Sequence, residues 1–158
     1  MSNIITFLAT YLIIFQFAAI PIMWWADGRK LKEITLHSIY SSLLAWLISL
    51  FLKDIFHTPR PFRVDGTIPL TAIVTHDYAF PSGHTAASFA LSLTIFLHHR
   101  RLGSLFLVCS LIVGISRIAA HVHYPIDILG GGILGCIIAI SVHKLHPFLL
   151  VRKLITPR

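Results

Sequence analysis

Charged residues are scarce in this chain, and acidic residues are the scarcest of them. Of 158 residues, 12% are charged, with six Asp and Glu against 13 Lys and Arg, whereas soluble domains contain about 25% charged residues. Hydrophobic residues make up 56% of the chain, and the mean hydropathy is +0.80. These values exclude an ordinary soluble domain and predict an integral membrane protein.

Cysteine is also sparse. Cys109 and Cys136 lie inside apolar runs and form no CxxC spacing, so neither a disulfide framework nor a redox motif is predicted. No basic residue precedes the first apolar run, which excludes the usual pattern of a cleaved signal peptide. The net charge of +7 is divided among short clusters between apolar runs. This pattern is typical of membrane orientation and not of a nucleic-acid partner.

Long apolar runs, in contrast, fill most of the chain. A helix needs about 20 residues to cross a bilayer, and helices satisfy their own backbone polar groups in lipid. We therefore predict an all-α, polytopic membrane helix bundle of about five transmembrane helices, forming a single domain over residues 1–158. The predicted spans are Ile4–Trp25, Ile34–Leu52, Thr85–His98, Leu102–Ala120 and Ile126–Val142. Two further features are a surface segment, Pro147–Ile155, and close packing at Gly130, Gly131, Gly132 and Gly135.

The basic residues predict the orientation of these spans. With five spans, nine of them fall on one side: Arg29, Lys30, Lys32, Arg100, Arg101, Lys144, Arg152, Lys153 and Arg158. The positive-inside rule makes that side cytoplasmic. The segments Lys53–Pro81 and Arg117–Asp127 then meet at the outer membrane–water interface, together with the start of the third span. Most of the reactive side chains lie in these segments, so we expect the functional site there.

Three cations belong to this outer group, namely Lys53, Arg60 and Arg117. A single cation at a membrane surface is typical of lipid-headgroup anchoring or snorkelling. Three cations beside two histidines favour an anion site, and guanidinium groups match phosphate oxygens particularly well. The outer segments are therefore predicted to bind a phosphate group.

The tetrad Pro81-Ser82-Gly83-His84 opens the third span. A helix N-terminus presents free N–H groups and the positive end of the helix dipole, and glycine lets the backbone approach a ligand closely. Ser82 and Gly83 are therefore candidates for phosphate contacts. The alternative is an ordinary serine cap followed by an unrelated histidine, and the tetrad alone favours neither.

His123 and Asp127 flank the start of the fifth span. Their spacing lets the carboxylate accept a hydrogen bond from one imidazole nitrogen, which leaves the other nitrogen as a nucleophile. The alternative is an acid that only stabilises a helix N-terminus. His121 is interpreted either as a packing residue or as part of the site lining, with packing favoured, and His57 and His76 are interpreted as peripheral. The other histidines are interpreted as cytoplasmic interfacial residues, and a zinc site at His84, His121, His123 and Asp127 is disfavoured because nearby cations repel a metal.

Together, these residues resemble the signature of the type 2 phosphatidic acid phosphatase superfamily. The matching segments are Lys53 with Arg60-Pro61, then Pro81-Ser82-Gly83-His84, then Ser116-Arg117 with His123 and Asp127. The resemblance covers about half the chain in residue type, spacing and order. Membrane members often have six spans, whereas this chain offers five. The short connector from Pro61 to Pro81 makes a large substrate-capping domain unexpected.

The resemblance implies a metal-independent hydrolase without a cofactor. His123 is the implied nucleophile that becomes a phosphohistidine, Asp127 orients it, and His84 protonates the leaving oxygen and then activates water. The implied phosphate ligands are Lys53, Arg60, Ser82, Gly83 and Arg117.

The substrate is expected to be a lipid phosphate or diphosphate. The segment HVHYPIDILGG resembles small bacterial undecaprenyl-diphosphate phosphatases, which implies a cytoplasmic (inner) membrane enzyme facing the periplasm or exterior. The alternatives are phosphatidylglycerophosphate, phosphatidic acid or lipid A phosphates. A small membrane transporter is an alternative from another class, although transporters place polar residues near the membrane midplane. A vanadate-dependent haloperoxidase is disfavoured because those proteins are soluble.

Overall fold

The computed structural model describes residues 2–26, 29–74 and 78–145, and all regular elements in these ranges are helices. In chain order they are α1 (Ser2–Ala26), α2 (Arg29–Phe56), α3 (Pro61–Asp65), α4 (Gly83–His98), α5 (Arg100–Ala119) and α6 (Pro125–Leu145). The predicted all-helical membrane bundle is confirmed. Each predicted span corresponds to one helix, and the surface segment Pro147–Ile155 lies outside the described residues.

Two differences concern helix boundaries. Helix α2 extends beyond the apolar run Ile34–Leu52 at both ends, because a helix continues into the polar interface where its backbone stays hydrogen-bonded. The short helix α3 lies in the connector, where no apolar run predicts it. It begins at Pro61, whose fixed φ suits the first helical position, and it ends before Gly66, which has a φ of +72°.

Helix α4 lies at the centre of the bundle, in contact with α2, α5 and α6. Four of the described helices, α1, α2, α5 and α6, are long and apolar enough to cross a membrane, whereas α4 has 16 residues. Its surface is rich in small buried residues that let neighbouring helices approach, including Ala86, Ala87, Ser88 and Ala90. The most buried helix is therefore also the one that begins with the Ser-Gly-His tetrad.

Glycines of α6 bring that helix against α4. A Cβ atom on Gly131 would lie 2.5 Å from the backbone oxygen of Ser82, and one on Gly135 would lie 2.4 Å from that of Ala86. No side chain fits at such distances, so the close packing predicted for these glycines is confirmed. At Gly132 the nearest atoms belong to the ring of Phe89 at 3.9 Å, which leaves room for a methyl group.

A buried polar seam joins α1 to the centre of the bundle. The Gln16 amide donates to the backbone oxygen of Phe106 at 3.0 Å and to Ser110 Oγ at 3.2 Å, and it accepts from Ser88 Oγ at 2.5 Å. Ser92 Oγ lies 2.6 Å from Ser110 Oγ. Buried polar groups are costly without partners, so this seam selects one rotation of α1 against α4 and α5.

Candidate active site

The helices bring the three predicted motifs to one end of the bundle. This end contains the last turns of α2 and α5, the first turns of α4 and α6, and the whole of α3. Lys53 and Arg60 are each only 3% exposed. The Lys53 ammonium donates to the backbone oxygen of Tyr78, and Arg60 Nη1 donates to the backbone oxygen of Val122 at 3.0 Å. Hydrogen bonds to backbone oxygens thus hold both buried cations against the segments that meet at this end of the bundle.

The start of α4 is tied to the start of α6. Ser82 is the N-cap of α4, where its Oγ accepts from Thr85 Oγ1 at 3.0 Å. Its backbone N–H donates to the backbone oxygen of Asp127 at 3.0 Å. Gly83 packs against α2, since a Cβ there would lie 2.9 Å from Ser49 Oγ and 3.3 Å from Trp46 Cδ1. The glycine is therefore needed for close helix packing, whatever it does for a ligand.

His123 and Asp127 form a buried pair. His123 Nδ1 lies 3.3 Å from Asp127 Oδ2, and the same oxygen accepts from the Tyr124 backbone N–H at 2.8 Å. A carboxylate accepts hydrogen bonds, so Nδ1 carries the proton and Nε2 keeps its lone pair. Nε2 lies 3.4 Å from Arg60 Nη1. The nitrogen with the lone pair thus faces the guanidinium predicted to bind phosphate.

Arg117 and His84 complete the group. Arg117 lies in the last turn of α5, is 3% exposed, and donates through Nη1 to the backbone oxygen of Ala9 in α1 at 2.9 Å. The charges of Arg117, Arg60 and Lys53 all act on the His84 imidazole. Ser82 and Gly83 directly precede His84 at the start of α4, and Asp127 contacts His123. The structure therefore brings the eight residues predicted from the sequence together in one cluster at this end of the bundle, and their roles stay predictions.

Two cavities border this cluster and have different lining residues. An apolar cavity of about 480 Å³ lies between α1, α2 and α4 and reaches Gly83 and His84. A second cavity, of about 240 Å³, is lined by His123, Asp65 and His121 among others. The two histidines therefore face different spaces: His84 the apolar cavity, and His123 the smaller and more polar one.

The interpretation of His121 as a packing residue is wrong. Its side chain is 46% exposed, and its Nε2 lies 2.5 Å from Asp65 Oδ2. Asp65 lies beyond the end of α2, outside the membrane-spanning helices. The hydrogen bond from His121 is the main reason that the pKa of Asp65 is lowered to about 2, and hydrogen bonds from Thr67 add to this effect.

The other histidines that the structure describes lie at both ends of the bundle. His57 is exposed and packs edge-on against Tyr78, 4.6 Å between ring centroids, as expected of a peripheral residue. His76 and His146 lie outside the described residues. His37, His98 and His143 meet at the opposite end of the bundle, with ring centroids 5.5 Å and 5.0 Å apart. Within the described part of the chain, no group of three or more His, Cys, Asp or Glu side chains is placed to hold a metal.

Sequence reasoning missed three residues that shape the site. Trp46 and Ser49 lie over Gly83, and they share a helical face with Lys53 because they precede it by seven and four residues. That spacing could have been used to predict from the sequence that both residues lie near the site. Asp65 was a different case, because nothing in the local sequence indicates its partner 56 residues away.

Comparisons with known proteins agree with this architecture. The model of the PAP2 superfamily matches residues 34–150. The bacitracin transport permease protein BcrC of Bacillus licheniformis is 30% identical over 150 residues, covering 93% of this chain and 72% of that protein. The undecaprenyl-diphosphatase BcrC of Bacillus subtilis is 26% identical over 155 residues, 94% of this chain and 78% of that protein. The crystal structure of Aquifex aeolicus LpxE has a TM-score of 0.74 and 26% identity, covering 90% of this chain and 85% of that one.

Fold and comparisons together define a multi-pass membrane phosphatase, a hydrolase. The chain belongs to the PAP2 superfamily, the family that its three motifs resemble.

Proposed function

We propose that this protein hydrolyses undecaprenyl diphosphate to undecaprenyl phosphate and inorganic phosphate through a phosphohistidine on His123. The observation that carries the proposal is the buried His123–Asp127 pair, in which His123 Nε2 faces Arg60 at 3.4 Å. The B. subtilis relative with 26% identity is named an undecaprenyl-diphosphatase, which supports this substrate over other lipid phosphates.

In the proposed first step, His123 Nε2 attacks the terminal phosphorus and forms an N–P bond. The bond between that phosphorus and the bridging oxygen breaks. His84, which is protonated once the negative charge of the bound diphosphate offsets the three cations, gives its proton to this oxygen as undecaprenyl phosphate leaves. In the second step, His84 takes a proton from water, the water oxygen attacks the phosphorus, the N–P bond to His123 breaks, and inorganic phosphate is released. Lys53, Arg60 and Arg117 stabilise the charge that builds on the phosphoryl oxygens, which is the task a metal has in other phosphatases.

The two cavities give the two histidines different surroundings. The leaving lipid lies beside His84, and its chain fits the apolar cavity of about 480 Å³ between α1, α2 and α4. His123 lines the other cavity. In the proposed in-line displacement, attack and departure occur on opposite sides of phosphorus. The cavity walls include Phe17, Leu43 and Trp46. These apolar side chains bind a lipid chain favourably, because the contact removes apolar surface from water.

We further propose that the protein lies in the bacterial cytoplasmic membrane with the site facing outward. Lys32 and the pair Arg100-Arg101 belong to the helix ends opposite the site, as does Lys144. This distribution supports the positive-inside orientation.

A transporter is a second candidate, because the B. licheniformis relative is named a transport permease. Within the described residues, however, the buried Lys, Arg and Asp side chains lie at the site end of the bundle: Lys53, Arg60, Arg117 and Asp127. Transport sites lie near the midplane, where this protein instead has the uncharged seam around Gln16. The positions of the charges therefore favour hydrolysis.

Phosphate release from purified protein tests the proposed function. In detergent with EDTA, we expect the protein to stay active, because three cations replace a metal at the phosphoryl group. We also expect it to hydrolyse undecaprenyl diphosphate faster than phosphatidic acid. Loss of activity in EDTA with recovery on adding Mg²⁺ would overturn metal independence. Faster hydrolysis of phosphatidic acid would overturn the proposed substrate.

His84→Ala tests the division of labour between the histidines. We expect turnover of the lipid diphosphate to fall by about 10²- to 10⁴-fold, the usual contribution of a general acid. An aryl phosphate such as 4-nitrophenyl phosphate needs little protonation on departure, so release of 4-nitrophenol in the first turnover should fall much less. Burst kinetics on both substrates measure this difference. Equal losses in the first step would contradict the assignment of His84 as the acid.

A further inference from the structure

The turn that precedes the nucleophile is held by the segment that begins at Arg60. Each of three successive turn residues makes a polar contact with this segment: Leu70 N–H with Ala120 O at 3.0 Å, Asp65 Oδ2 with His121 Nε2 at 2.5 Å, and Arg60 Nη1 with Val122 O at 3.0 Å. The side chains of Ala120 and Val122 also pack in an apolar cluster with Phe62 and Leu70. Of the three turn residues, His121 is the one whose side chain makes the polar contact, so that contact depends on the residue type at this position.

The backbone of His121 is unusual for a residue with a side chain. Its φ is +62°, in the left-handed region that glycine adopts most easily and histidine less often. Glycine would suit this backbone better but would offer no partner to Asp65. The presence of histidine is accounted for by its side-chain contact.

Asp65 is oriented for that contact by its own turn. One carboxylate oxygen, Oδ1, accepts from the backbone N–H of Thr67 at 3.0 Å and from its Oγ1 at 2.8 Å, and Oδ2 is left for His121. The pKa lowered to about 2 means that Asp65 stays ionised at every pH above about 4. The stabilisation that the ionised Asp65 gives the folded protein is therefore fully present above pH 3.8, the ordinary pKa of aspartate. It is lost only as the pH falls toward 2.

We propose that Asp65 and His121 form a positioning pair that keeps Arg60 beside His123 and thereby sets the affinity of the site for the phosphoryl group. The proposal rests on the proposed function of His123 and Arg60. Helix α3 has five residues; Arg60 is the N-cap residue directly before it, and Asp65 is its last residue. A tether at one end of so short a helix restricts the other end, where the guanidinium lies 3.4 Å from His123 Nε2.

The exposure of the Asp65 and His121 side chains distinguishes a positioning role from a contribution to the overall stability of the protein. The two side chains are 46% and 44% exposed, and exposed ion pairs contribute little to global stability. Removing the pair is therefore expected to leave the melting temperature nearly unchanged. A positioning pair should instead change how tightly phosphate binds, which a merely structural contact would not do without also lowering the melting temperature.

The experiment compares four variants by calorimetric titration of the detergent-purified protein with inorganic phosphate, together with kcat/KM on the lipid substrate. The variants are Asp65→Ala, His121→Gly, the double variant and the control Thr67→Ala. Glycine is chosen at 121 because it accepts the positive φ. Thr67→Ala removes only the hydroxyl hydrogen bond to Asp65 Oδ1; the backbone N–H of residue 67 still donates to that oxygen, so Asp65 stays oriented toward His121.

We expect each single variant to bind phosphate about 5- to 20-fold more weakly and to lose kcat/KM by a similar factor, the coupling expected within one network. The double variant should lose no more than either single variant, Thr67→Ala should match the wild type, and all melting temperatures should agree within about 2 °C. Wild-type phosphate affinity in Asp65→Ala, additive losses in the double variant, or an equal loss in Thr67→Ala would each overturn the proposal. Binding is measured without turnover, so a wild-type protein that binds phosphate but hydrolyses no lipid would defeat the proposed function alone.

Discussion

His123→Ala is expected to abolish lipid phosphate hydrolysis, with a fall in kcat of at least about 10³-fold. Without the imidazole, no N–P bond can form, and the remaining cations can only bind the phosphoryl group. Incubation with substrate labelled at the terminal phosphate should label the wild-type protein through an acid-labile, alkali-stable bond and leave the variant unlabelled. Phosphate release and protein-bound label are the two measurements.

The matched control for this experiment is His57→Ala. His57 lies at the same end of the bundle but is exposed, and its Nδ1 lies 3.2 Å from the backbone oxygen of Ile55, two residues earlier in the chain. We expect this variant to retain activity and labelling. Substantial turnover by His123→Ala, or a label that persists in it, would show that another residue is the nucleophile.

Asp127→Asn is expected to lower kcat by about 10²- to 10⁴-fold with little change in KM. In the proposed mechanism, the contact of Asp127 Oδ2 with His123 Nδ1 at 3.3 Å keeps the imidazole proton on Nδ1, and the carboxylate charge stabilises the cationic phosphoimidazole that follows attack. An amide supplies neither the charge nor an unambiguous acceptor. Steady-state kinetics on the lipid substrate provide the measurement, since KM reports contacts of the substrate with other residues.

Two controls distinguish catalysis from folding at this position. The alternative role of Asp127, an acid that stabilises the start of α6, predicts a loss of about 0.3–1 kcal/mol in stability and wild-type kcat in the protein that remains folded. Asp127→Glu keeps the charge but displaces it, so its kcat should lie between those of Asp127→Asn and the wild type. A kcat within tenfold of wild type in folded Asp127→Asn would contradict the orienting role.

The parts of the site that sequence predicts well are those in which residue type and local spacing carry the chemistry. The pair His123 and Asp127 is one helical turn apart, and the tetrad Pro81–His84 contains its own cap and glycine. The apolar runs predict the helices for the same reason, because each residue's environment in lipid is decided by its own hydropathy. No tertiary information is needed for these inferences.

Contacts between distant segments were not predictable in this way. Arg117 donates to the backbone oxygen of Ala9, 108 residues away, and a backbone oxygen has no sequence signature. Asp65 and His121 are ordinary residues until the turn at φ +62° brings His121 to the surface. The packing interpretation failed there because hydropathy describes an average environment, whereas a single positive φ decides the direction of this side chain.

The polar seam around Gln16 has a consequence for the biogenesis of the protein. A newly inserted α1 would expose the Gln16 amide to acyl chains until Ser88, synthesised 72 residues later, can donate to it and Ser110, synthesised 94 residues later, can accept from it. Its docking must therefore wait for α4 and α5, which leave the ribosome after it. Because Arg117 also donates to α1, the proposed active site is complete only once α1 has docked against these later helices.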